Sequence, residues 1–135
     1  RVLCAVHIVS TSLRKRKMDK ASRTTTEILA AQGFDISSHR LKYVGEIISG
    51  SGLIIATDTL TLARTQAEFP KFSERCFLAR HLAYNKHEDI YGPYAESRRN
   101  SNEQNLTERI GYEHMLKEIK SVSRRIVVSI LRDYL

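Results

Sequence analysis

The chain has 135 residues, of which 41% are hydrophobic and 27% charged, ordinary values for a soluble globular protein with one sizeable core. A single domain over residues 1–135 is expected. No apolar stretch reaches the roughly 20 residues needed to span a bilayer, and nothing has the layout of a secretory signal, so a membrane role is excluded. The formal net charge of +7 favours an anionic partner, whether phosphate, nucleic acid or an acidic protein surface, without choosing among them.

The first residue is Arg1 rather than methionine, which points to processing or to a piece of something longer. Residues Val2 to Val9 form a β-branched apolar run of strand length. The densest positive run follows, Arg14-Lys15-Arg16-Lys17 with Lys20 and Arg23. No aromatic residues interleave with it to stack on bases, so a solvated loop is preferred to a nucleic-acid arm. Ser22 has the chemistry to cap a helix from Arg23 to about Gln32, and Gly33 stands where a left-handed helix end wants glycine.

A short helix is expected at Val44 to Ile48. Leu53-Ile54-Ile55-Ala56 is an apolar run bounded by glycine and Asp58, the pattern of a strand buried on both faces. Thr57 or Asp58 then caps a helix through Ala67, stopped by Pro70, and a further strand covers roughly Arg75 to Leu78. From Ala79 to Asn105 the chain is polar and punctuated by aromatics, and a long connection is expected there. Leu106 to Leu131 carries Tyr112, Met115, Leu116, Ile119, Val122, Ile126, Val127 and Ile130 at helical spacing, an amphipathic helix laid on a core. Strands alternating with helices predict an α/β fold, doubly wound, with a mostly parallel sheet and helices on both faces. Ligands in such folds sit at the carboxyl ends of the strands.

Cys4 and Cys76 are too few for a disulfide framework and have no metal-ligand spacing. Both read as reduced, structural thiols in a cytoplasmic protein. The five histidines show no HExxH pattern. His81 and His87 are the nearest approach to a pair, so neither a metal nor another cofactor is expected.

Three segments in order resemble the low-molecular-weight protein tyrosine phosphatases. Leu29-Ala30-Ala31-Gln32-Gly33-Phe34-Asp35-Ile36-Ser37-Ser38-His39-Arg40 is similar to that family's helix end and its G-hydrophobic-D-I-S-x-H-R stretch. Leu53-Ile54-Ile55-Ala56-Thr57-Asp58 resembles its central strand and trailing aspartate, and Glu88-Asp89-Ile90-Tyr91-Gly92-Pro93-Tyr94 resembles its Asp-Pro-Tyr loop. The resemblance implies a doubly wound fold and an ancestor that hydrolysed phosphate esters. In that chemistry a cysteine thiolate in a Cys-x5-Arg loop attacks phosphorus, with its pKa held down by backbone N–H groups and a cation. The loop aspartate then protonates the leaving phenolate.

Both parts are missing here. The sixth residue after Cys4 is Ser10 and the sixth after Cys76 is Leu82, so neither begins a Cys-x5-Arg loop. Matching Val9-Ser10-Thr11 to a later strand of the family instead leaves the whole loop upstream of Arg1. The residue before Pro93 is Gly92, which has no proton to give. Asp89 is the carboxylate left on the loop; a loop hydrogen bond or a solvated charge is expected of it, with a swing into the acid's place as the alternative. Tyr94 would line the pocket mouth or pack on the domain rim.

The resemblance thus nominates Asp89, Gly92, Pro93 and Tyr94 as binding residues and no catalytic residue. The first expectation is a phosphatase-like domain without hydrolytic activity, acting as a binding or regulatory module for a phosphate or other anionic ligand, a protein partner or a second copy of itself. The second is a fragment of an active phosphotyrosine hydrolase, and the third a basic nucleic-acid-associated protein.

Overall fold

The computed structural model describes residues 7–15, 19–90, 92 and 104–134. Packing divides the chain into two compact units, Arg1–Ser51 and Gly52–Leu135.

In the first unit, β1 (Thr11–Ser12) pairs in parallel with β2 (Lys42–Tyr43), Thr11 opposite Lys42 and Ser12 opposite Tyr43. Parallel strands need a crossover, and α1 (Arg23–Ala31) supplies it. The Ser22 side chain accepts a hydrogen bond from Thr25 N at 3.2 Å, the cap its hydroxyl favours. At the other end Gly33 has φ +85°, with Gly33 N donating to Ala30 O and Phe34 N to Leu29 O. These two bonds form the Schellman arrangement that glycine permits.

The strand expected at Val2 to Val9 is testable only at its end. Residues 1–6 are outside the described residues, while His7 to Ser10 are exposed and not in a strand, and the ladder begins at Thr11. Ile8 is 85% exposed, so β-branched character alone did not find a partner for it. After β2 the chain turns at once into α2 (Val44–Ile47) and a 3-10 turn (Ile48–Gly50), which bury Val44 and Ile48.

In the second unit, β3 (Ile54–Ala56) pairs in parallel with β4 (Cys76–Leu78), joined by α3 (Thr59–Glu68) and a 3-10 turn (Pro70–Arg75). Asp58 caps α3, accepting from Thr61 N at 2.7 Å and Thr61 Oγ1 at 2.8 Å. Thr65 is buried on α3, and its hydroxyl donates to Thr61 O at 2.7 Å, so no polar group is stranded there. β4 leads directly into α4 (Ala79–Tyr84), which ends on Asn85 at φ 56°, a left-handed position that asparagine tolerates. The long connection expected from Ala79 is therefore shortened by a helix. The closing helix α5 (Gln104–Tyr134) packs along α4.

The core of this unit is Ala79, Ile90, Val122 and Ile126, with Leu82, Met115, Ile119 and Ile130 packed against it. Two side chains depart from expectation. Ile55 is 42% exposed, so β3 is not buried on both faces, and Val127 is 46% exposed. Val127 follows the buried Ile126 by one residue, about 100° around the helix, which turns it off the core stripe.

Leu78 is the most enclosed side chain, 1% exposed. Leu78→Ala should cost about 3 kcal/mol through lost burial and the cavity left behind. Val127→Ala should stay within about 0.5 kcal/mol. Urea unfolding of both variants checks the pair, and equal costs would contradict this assignment of the core.

Candidate functional site

The carboxyl end of β3 is where a parallel sheet of this kind presents a site, and three segments of the second unit meet there. Thr57 and Asp58 leave the strand, α3 begins, and the loop after α4 returns. Two backbone-directed bonds hold that loop: Ile90 N donates to Thr57 O at 2.8 Å, and Thr59 N donates to Asp89 Oδ1 at 2.7 Å. Ile90 is buried in the core, which fixes the loop from below.

The first turn of α3 thus donates to two carboxylates, Asp58 as cap and Asp89 from the loop. A helix start with free N–H groups attracts anions; here its local charge is already met by side chains. Burial pushes the Asp58 carboxyl up, but hydrogen bonds from Thr61, Thr57 and Leu60 outweigh it and leave the carboxyl below its ordinary range.

Cys76, the described cysteine, lies in the middle of this unit. It is 6% exposed in β4, its thiol donates to Phe72 O at 3.3 Å, and burial pushes its pKa up. A reactive thiolate needs the opposite environment. Gly92 is exposed, and a side chain added there would meet nothing within 4 Å. Pro93, Tyr94 and Cys4 lie outside the described residues.

Arg80 organises the flank of the loop. Its guanidinium pairs with Glu118 of α5 at 2.7 Å and with Glu88 of the loop at 2.8 Å, and its own side chain is 22% exposed. The His81 and His87 rings lie 4.8 Å apart, tilted by 34°. Among the described residues no three His, Cys, Asp or Glu side chains are grouped to hold a metal, and no helix is long and apolar enough to cross a membrane.

In the first unit, the Asp35–Arg40 stretch is occupied with its own turn. Asp35 Oδ1 accepts from Ser37 N at 2.9 Å, His39 N donates to Ile36 O, and Arg40 Nη1 donates to Ser37 O and His39 O. The hydrogen bond from Ser37 N holds the Asp35 carboxyl below its ordinary range. These contacts account for the D-I-S-x-H-R pattern as turn architecture.

No protein-family profile matches the sequence, and no curated protein matches it. The structure is similar to the crystal structure of a YwlE mutant from Bacillus subtilis, with a TM-score of 0.62 over 82% of this chain and 70% of that one. The two are 12% identical, so the likeness is one of fold. YwlE is a low-molecular-weight protein tyrosine phosphatase. This chain therefore has an α/β fold of the doubly wound, low-molecular-weight phosphatase kind.

Asp58→Ala should destabilise the chain by about 1 kcal/mol at pH 7 through loss of the cap. The folded-state pKa of Asp58 is depressed, so its contribution is present above the unfolded-state value of about 3.9 and is lost as pH falls through the folded value. Thermal melts of wild type and variant should therefore differ at pH 7 and converge below about pH 4.

Proposed function

We propose that this chain is a low-molecular-weight phosphatase-like domain that serves as a binding or regulatory module and does not hydrolyse phosphate esters. The observation that carries this reading is the absence of both the nucleophile's loop and the general acid. No Cys-x5-Arg spacing occurs in the 135 residues, and the carboxylate left on the loop, Asp89, accepts from Thr59 N at the first turn of α3. Gly92 has no side chain to act as general acid. Cys76 is a buried, high-pKa thiol.

The consequence for rate is large. Nucleophile and general acid act as a unit, and the remaining pocket does not replace them. A pseudophosphatase of this kind keeps the fold as a scaffold for partner contacts. A cytoplasmic setting belongs to the same proposal, since the described cysteine is a free thiol.

Hydrolysis of p-nitrophenyl phosphate at about pH 5 to 6, near the range in which a thiolate and a protonated acid coexist, tests it. Wild type, Cys4→Ser, Cys76→Ser and Gly92→Asp should all stay at the uncatalysed background. Turnover lost on replacing Cys4 would overturn the proposal and locate a thiolate near the N-terminus. A rate gained by Gly92→Asp would likewise show that a nucleophile is present.

A further inference from the structure

The chain's excess positive charge is not concentrated at the β3 end, where carboxylates lie; part of it gathers in the first unit. There β1, β2 and the start of α2 enclose an open cleft of about 430 Å³, the size range of small-ligand pockets. Four cations line it, Arg14, Lys15, Arg40 and Lys42, against two carboxylates, Asp19 and Glu46. The lining charge is therefore 4 − 2 = +2.

These cations are not equally engaged. Arg40 is fixed, with Nη1 on two carbonyl oxygens and Nε 3.9 Å from Asp19, so one of the two carboxylates is already engaged. The side chains of Arg14 and Lys42 have no hydrogen bond or ion pair among the described residues. Ser12 Oγ accepts from Arg14 N at 3.3 Å, which leaves its hydroxyl proton to donate into the cleft. Lys15 Nζ lies 5.5 Å from the centre of the Tyr43 ring. That ring presses onto Gly45, where an added Cβ would come within 2.5 Å of it. Tyr43 is thus a wall held in place by the absence of a side chain at 45. The parallel register brings Ser12 beside Tyr43, which carries the β1 exit and its cations to β2.

We propose that this cleft binds a phosphoryl dianion, either inorganic phosphate or the phosphate of a small monoester. Such a group carries about −1.5 to −2 at neutral pH and has only acceptor oxygens at its anionic end, matching a lining of +2 with Arg14, Lys42 and the Ser12 hydroxyl as donors. The site is built from the first unit alone, so it stands whether or not the chain hydrolyses esters.

The test is titration of the ¹⁵N-labelled full chain with inorganic phosphate, phenyl phosphate and sulfate at about 0.15 M salt, where long-range attraction is screened beyond about 8 Å. Saturable shifts confined to Ser12, Lys42, Tyr43 and their neighbours are expected, with phosphate bound more tightly than sulfate. Arg14→Glu and Lys42→Glu should each weaken binding about tenfold, the worth of one charge-assisted hydrogen bond. Gly45→Ala should also weaken it by displacing Tyr43. Lys117→Glu and Arg124→Glu change the net charge equally on the exposed face of α5, and should leave affinity within about twofold.

Tighter binding of phenyl phosphate would assign the monoester as ligand, and equal binding would assign the phosphate group alone; both support the site. Equal weakening by the α5 variants would show diffuse attraction and overturn it. Non-saturating shifts up to about 20 mM phosphate, weaker than millimolar affinity, would also overturn it.

Discussion

A two-stranded parallel sheet does not hold itself together in water, and β3–β4 depends on the apolar seam between α4 and α5. Ala79, Val122 and Ile126 close that seam, and Ile90 enters it from the following loop. Around it, Arg80 joins α4, α5 and the loop through Glu118 and Glu88. Tyr84 is hydrogen-bonded to Ser121, and Arg125 lies 4.8 Å over the Tyr84 ring. A guanidinium this enclosed is costly unless paired, and its two carboxylates offset that cost at Nη1 and Nη2 while tying the loop to the helices.

The position of the β3 end follows from this seam. Because Ile90 is buried, the residue before it is delivered to the start of α3, and Asp89 takes the Thr59 N–H. With Asp58 at the same turn, the start of α3 is made acidic. Phosphoryl chemistry depends on cations and N–H groups aimed at developing negative charge, and the first turn of α3 offers carboxylates instead. The first unit has the opposite character, with four cations outnumbering two carboxylates around a wall of Tyr43.

Features set by neighbours in sequence were readable in advance. The Ser22 cap, the Gly33 helix end and, Val127 apart, the apolar stripe of α5 follow from local hydrogen bonding and helical spacing, and of the two caps open for α3 the structure takes Asp58. Features set by distant partners were not. Ile8 and Val9 looked more strand-like than Thr11–Ser12, yet pairing with Lys42–Tyr43 decides where this ladder runs. Ile55 was assigned a buried face from composition, but two strands leave it open. The cleft was hidden for the same reason, since no spacing in the chain links Arg14 with Lys42. The phosphatase-like motifs conveyed the fold, and the D-I-S-x-H-R stretch is bound up with its own turn.

The central claim is a phosphatase-like fold that holds a phosphate ester without cleaving it. A ³¹P NMR time course of phenyl phosphate mixed with the full chain tests this most directly, because it observes the bound ester and any product together. Broadening or shift of the ester resonance with no growth of inorganic phosphate over hours is the predicted result. Steady release of inorganic phosphate in proportion to protein concentration would contradict the account.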